Sequence, residues 1–167
     1  MRARGGSRYL WLSVLVVLVD QLTKQLTVHF IDYGTSGINV LPFFNLVHVY
    51  NTGAAFSFLA QMGGWQRWLF MGLAVVITAV LLIVLRRTPP ERRMMCFGLA
   101  LVIGGALGNL IDRALYAHVI DFLLFYIRTG GRFLAWPAFN VADIGVCTGA
   151  GLLILSSLRT PRPPRVR

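Results

Sequence analysis

Asp112, Asp121 and Asp143 stand out in a chain of 167 residues that has only six acidic side chains. They fall at the ends of two segments too apolar to be anything but buried or membrane-spanning. An ionised carboxylate at the edge of hydrocarbon is costly, so its pKa rises unless a cation or several donors compensate. Two neighbouring carboxylates lower that cost by sharing one proton, and Asp121 and Asp143 suit such a pair. The ionised member would take a proton from an attacking water while the protonated member hydrogen-bonds the scissile carbonyl, the division of labour in aspartic proteases. The plainer alternatives are that Asp143 caps a helix N-terminus and Asp121 ends a strand in water, or that the acids form an ion relay.

Other polar residues sit where they can support such a pair. Asn109 and Asn140 are able to orient carboxylates, to hold a peptide backbone, or simply to bond between helices. Asp20 and Lys24 lie one helical turn apart and are expected to pair with each other. Asp112 and Arg113 are adjacent and point in different directions on a helix, which leaves Arg113 able to meet Asp20 instead. His48 and His118 could join Asp121 and Asp143 at a metal, but there is no His-Glu-x-x-His helix, and neither metal nor cofactor is expected. Lys24, the only lysine, has no strained nucleophile turn to activate Ser36 or Ser57. Cys96 and Cys147 lie in different apolar runs and read as small buried hydrophobes.

The elements that must position these residues follow from composition. With 56% hydrophobic and 13% charged residues the chain reads as one integral membrane domain, residues 1–167. Four runs have spanning length, about 9–28, 68–85, 94–110 and 141–158. The first imitates a signal peptide but lacks a small-residue cleavage site, and is expected to be a retained helix. The net charge of +10 sits in short clusters: Arg2, Arg4 and Arg8, then Arg86, Arg87, Arg92 and Arg93, then Arg159, Arg162, Arg165 and Arg167. That distribution speaks for cytoplasmic segments and both termini inside, and against nucleic acid. Trp65, Trp68 and Trp136 would lie at the outer interface, Tyr9 and Trp11 at the inner one.

Two outward loops remain, about 30–67 and 112–140, both too rich in aromatic and β-branched residues to be plain linkers. In the first, residues 38–41 and 43–50 read as strands broken by Pro42 and ended by Asn51-Thr52-Gly53. The fold expected is therefore all-α, four transmembrane helices with a small outward sheet built from the first outer loop. Gly104-x-x-x-Gly108 and Gly145-x-x-x-Gly149 would let the third and fourth helices approach closely, bringing Asn109 and Asp112 beside Asn140 and Asp143.

Five ordered blocks then resemble one family, the bacterial lipoprotein signal peptidases (signal peptidase II). They are Asp20-Gln21-Leu22-Thr23-Lys24; Tyr50-Asn51-Thr52-Gly53-Ala54-Ala55-Phe56-Ser57; Gly104 to Arg113; Val119-Ile120-Asp121-Phe122; and Pro137-Ala138-Phe139-Asn140-Val141-Ala142-Asp143. The resemblance implies an inner-membrane aspartic endopeptidase, working near the outer (periplasmic) face, that cuts prolipoproteins just before a diacylglyceryl-modified cysteine. It implies Asp121 and Asp143 as catalytic residues. It also implies supporting or substrate-contacting roles for Asn51, Gly53, Asn109, Asp112, Arg113, Asn140, Asp20 and Lys24. Membrane lipids are implied as surroundings and cyclic peptide antibiotics such as globomycin as inhibitors. Ile144 stands where the family often has Ser or Thr, so a hydroxyl bond to the dyad must be absent or replaced. The stretch 128–136 looks expanded. A lipid-bound substrate requires a site open sideways to the bilayer, with Phe56 and Phe58 available to cover the cleavage point. Two other classes compete: a proton-coupled transporter or channel using Asp20, Asp112, Asp121 and Asp143 as a relay, and a non-catalytic assembly subunit.

Overall fold

In a computed structural model that describes residues 5–53 and 64–159, four long helices stand under a small sheet. They are α1 (Leu10–Phe30), α2 (Gln66–Arg87), α3 (Arg93–Tyr116) and α4 (Val141–Arg159), and each is long and apolar enough to cross a membrane. Apolar runs of this length become helices because hydrocarbon offers no partner to a backbone N–H or C=O, and a helix satisfies every one internally. α2 stops where Thr88 turns extended ahead of Pro89-Pro90, its hydroxyl donating back to the Val84 carbonyl at 2.8 Å. α3 ends at Ala117, whose φ of 68° is left-handed. That turn reverses the chain so that the next strand runs back over the helix end.

α3 is the shared partner of the other helices, and its glycines explain why. A Cβ on Gly104 would lie 2.8 Å from the Ser13 carbonyl of α1, and one on Gly98 would lie 2.9 Å from the Gly149 carbonyl of α4. Gly105 faces the Ala142 carbonyl even more closely. The small-residue contact between α3 and α4 is thus made by Gly98 and Gly105 against Gly145 and Gly149. The Gly104-x-x-x-Gly108 face turns instead to α1, where Gly108 makes room for the Asp20 carboxylate. The core beneath is apolar, centred on Leu85, Cys96, Leu99, Ala100 and Ile103.

The sheet has four antiparallel strands in the order β1 (Ile38–Leu41), β2 (Phe44–Asn51), β3 (Val119–Thr129), β4 (Arg132–Ala135). Only the first two are legible as strands in the sequence. The second outer segment supplies the other half, and Asp112 to Tyr116 belong to α3 rather than to that loop. β3 and β4 turn tightly through Gly130 and Gly131, at φ 52° and 74°. The stretch that looked expanded is therefore an ordered hairpin.

One end of the bundle carries the sheet and the other the basic clusters. Gly6 donates to the Thr88 carbonyl at 2.8 Å, which sets the start of α1 against the α2–α3 turn with Arg86, Arg87, Arg92 and Arg93. Tyr9, expected in the interface, is buried edge-on against Phe97, with only its hydroxyl reaching the Pro90 carbonyl. Arg2, Arg4, Arg162, Arg165, Arg167 and the expected cover of Phe56 and Phe58 lie outside the described residues.

Gly105→Ala should lower the thermal transition of the detergent-solubilised protein by the equivalent of about 1–3 kcal/mol, since backbone faces the new methyl. Gly72→Ala, on a helix face with nothing within 4 Å, should be neutral or mildly stabilising in the same scan.

Candidate active site

The site begins one layer below the carboxylates, with a lysine that solvent does not touch. Lys24 is fully buried and its Nζ lies 2.8 Å from Asp20 Oδ2 and 2.8 Å from Asp112 Oδ2. Gln21 donates to Asp112 Oδ1 at 2.8 Å and more weakly to Asp20 and the Gly108 carbonyl. Each aspartate spends another lone pair on a backbone amide: Asp112 Oδ2 accepts from Ile120 N–H at 3.1 Å, and Asp20 Oδ1 accepts from Ala142 N–H at 2.8 Å. Those two amides belong to the residues immediately before Asp121 and Asp143. The buried ion cluster therefore clamps β3 and α4 at the positions next to the two candidate catalytic carboxylates.

A third bond leaves the lysine. Nζ donates to Asn109 Oδ1 at 3.0 Å, and because an ammonium only donates, the Asn109 amide must present its oxygen there and its nitrogen to the other side. That nitrogen donates to Asp143 Oδ1 at 2.9 Å. Asn140 is oriented by the same logic: Asp143 N–H donates to its Oδ1 at 3.0 Å, leaving Nδ2 to donate to Asp121 Oδ1 at 2.7 Å. Asn140 N–H donates to Asp143 Oδ2 at 3.2 Å, so this one residue joins both carboxylates. Asp121 Oδ2 accepts from Asn51 Nδ2 at 3.0 Å, and Asn51 Oδ1 in turn accepts from Gly53 N–H. The end of β2 that carries Asn51 is braced by the Tyr50 ring, 4.2 Å from Tyr33 and 3.7 Å from His118.

Asp121 is buried in the sheet, and this, with the nearby Asp143 charge, pushes its pKa up to about 7 against the pull of Asn51, Asn140 and Lys24. Asp143 sits in the first turn of α4, where the helix N-terminus favours a negative charge. Both line a cavity of about 570 Å³ whose walls are Phe70, Leu73, Ala74 and Ile77 of α2 and Ile144, Val146 and Cys147 of α4, with α3 behind. Ile144, half-exposed, is part of this wall, and donation to Asp143 comes from Asn109 and the Asn140 amide rather than from a neighbouring hydroxyl.

Arg113 does not reach Asp20, which Lys24 already occupies. Its guanidinium donates to the Gly53 carbonyl at 2.6 Å and lies over the Phe70 ring, tying the end of the Asn51-Thr52-Gly53 turn to the cavity. All ten residues singled out in the sequence thus fall in one connected network. Sequence reasoning passed over Gln21, Gly108 and Ala142 as functional positions, and over the aromatic walls Phe70, Trp136 and Phe139. A glutamine next to Asp20 in the middle of an apolar helix was the available signal. Among the described residues no group of three His, Cys, Asp or Glu side chains is arranged to hold a metal ion.

Comparison with known proteins identifies the family of the chain. The family model for signal peptidase (SPase) II matches residues 12–159. The lipoprotein signal peptidase of Tolumonas auensis is 51% identical over 90% of this chain and 89% of its own length, and that of Cupriavidus taiwanensis 54% identical over 92% and 85%. A solved bacterial membrane enzyme, determined by the in meso method at 2.3 Å resolution, superimposes with a TM-score of 0.78 at 26% identity over 95% of both chains. The match spans both aspartates, the buried lysine and all four helices, and the chain belongs to the signal peptidase II family.

Proposed function

We propose that this protein is an aspartic endopeptidase of the bacterial inner membrane. It removes the signal peptide from diacylglyceryl-modified prolipoproteins by cutting before the lipidated cysteine. The observation that carries the reading is the joining of Asp121 and Asp143 through Asn140 on the wall of an apolar cavity between α2 and α4. A diacylglyceryl chain leaves the bilayer only at about 0.8 kcal/mol per methylene, so a lipid-bound substrate reaches its enzyme sideways, through such a cleft. The basic clusters at the far end support a cytoplasmic placement of that end, which puts the sheet and the dyad at the outer face. Cyclic peptide antibiotics such as globomycin would occupy the same cavity. Nothing in the relatives or the fold speaks for the proton-coupled transporter.

The donors divide the roles. Asp143 receives Asn109 Nδ2, held in that orientation by Lys24, together with the Asn140 backbone N–H, and this fixed geometry suits it to the role of base. Asp121, with its raised pKa, carries the proton that the mechanism requires. Asp143 takes a proton from water as the water oxygen attacks the scissile carbonyl carbon, and Asp121 passes its proton to the carbonyl oxygen. Collapse of the tetrahedral species sends the proton on Asp143 to the leaving amide nitrogen and returns one to Asp121. The low polarity of the walls strengthens each of these charge interactions and excludes competing water.

Asp121→Asn and Asp143→Asn should each lower cleavage of a lipidated precursor by at least about 10²-fold while the protein keeps its thermal transition; near wild-type turnover by either variant would remove that residue from the mechanism. The unlipidated precursor should be cut poorly by the wild type.

Activity should fall as pH rises through about 7, where Asp121 loses the proton it must donate. Asn51 favours the ionised form of Asp121, so Asn51→Val should move that alkaline limb to higher pH, read from pH–rate profiles of the two proteins.

A further inference from the structure

The β3–β4 hairpin carries an arrangement that the dyad does not need. Cross-strand pairing sets Ile127 opposite Leu134 and Arg128 opposite Phe133, with Thr129 and Arg132 at the turn. Side chains alternate along a strand, so Phe125, Ile127, Leu134 and Trp136 share one face, which ends in Arg132. The other face presents Arg128, its guanidinium 5.4 Å from the Tyr126 ring centroid and 5.9 Å from that of Phe133. Ile127 is 64% exposed and Leu134 59%, on a two-residue turn where Gly130 and Gly131 leave open space. In water such a face on an edge hairpin is a liability.

Its position says what covers it. Only Pro137, Ala138, Phe139 and Asn140 separate Trp136 from α4, and Phe139 is bonded into β3 at Leu123. The root of the hairpin is thereby fixed at the end of a membrane-length helix. Trp136 and Phe139 also line the mouth of the cavity between α2 and α4, so the apolar face continues a surface that meets lipid. Neither arginine forms an ion pair among the described residues, and Asp32 is the one exposed acid at this end of the bundle.

We propose that the β3–β4 hairpin is a docking element for anionic phospholipid. The face of Phe125, Ile127, Leu134 and Trp136 lies in the interfacial layer of the leaflet at the sheet end, and Arg128 and Arg132 bind headgroup phosphates on either side of the Gly130-Gly131 turn. Guanidinium groups suit this because their planar donors match phosphate oxygens, and the aromatic rings under Arg128 hold it extended toward them. The inference rests on the membrane-spanning helices and not on the peptidase chemistry.

The test uses the full chain in nanodiscs of phosphatidylcholine with or without phosphatidylglycerol. Electron-spin resonance of spin-labelled phosphatidylglycerol, referenced to spin-labelled phosphatidylcholine, reads lipid selectivity. Arg128→Gln/Arg132→Gln should lower that selectivity by roughly fivefold for each arginine removed. Arg128→Lys/Arg132→Lys should keep most of it. Bromine-labelled lipids should quench the share of fluorescence that Trp136→Phe removes. Cleavage of lipidated precursor in detergent should be unchanged in the glutamine variant, which separates this proposal from the catalytic one. Wild-type phosphatidylglycerol selectivity in the glutamine variant, or a Trp136 signal that lipid bromine leaves unquenched, would overturn it.

Discussion

A charge placed in a bilayer must find compensation inside the protein, and Lys24 with Asp20 and Asp112 is where this chain meets that requirement. The cluster links α1 to α3 directly, and through the Ile120 and Ala142 amides it also holds β3 and α4. Because those amides each precede one of the two candidate carboxylates by one residue, an interaction that keeps the fold together also sets the register of Asp121 and Asp143. Two segments far apart in sequence acquire a common ruler. Removing one partner of such a cluster leaves an uncompensated charge, a loss of about 3–5 kcal/mol in buried pairs, so the register is strongly defended.

The same lysine reaches the candidate site by a second route. An ammonium cannot accept a hydrogen bond, so it forces the Asn109 amide to turn its nitrogen toward Asp143. The backbone N–H of Asp143 likewise fixes Asn140 and sends its nitrogen to Asp121. Two asparagines, whose amides are free to flip in isolation, are each locked by a group that only donates. The outcome is an asymmetric pair of carboxylates in an apolar-walled cavity: one sits at a helix N-terminus and receives a lysine-oriented amide, the other is buried in the sheet beside its neighbour's charge.

Much of this was legible in the residues. Apolar runs of spanning length gave the four helices, and Pro42 with Asn51-Thr52-Gly53 marked β1 and β2, because these signals are local. The aspartates were conspicuous because acids are so rare in this chain. β3 and β4 were missed: Phe122 to Ile127 is a continuous apolar run without alternation, and its pairing with β2 is long-range. The end of α3 was set too early because Asp112 and Arg113 look like a surface boundary, whereas Asp112 is buried by its bonds to Lys24 and Ile120. Glycine spacing revealed that helices approach closely but not which neighbour each glycine faces, since a four-residue repeat describes one helix and carries no information about its partner. Arg113 went to Gly53 for a similar reason, as the contest for Asp20 is decided only when α1 and α3 are side by side.

The most direct test of the account is the rate at which Lys24→Met protein, solubilised and still showing a cooperative thermal transition, cleaves a diacylglyceryl-modified precursor. Lys24 hydrogen-bonds neither dyad carboxylate, so its loss acts through Asn109, through the two clamped amides and through its charge on Asp121. The account predicts a fall of about 10²-fold or more, the usual consequence of misplacing reacting groups by an ångström. Cleavage at the wild-type rate with an unaltered pH profile would contradict it.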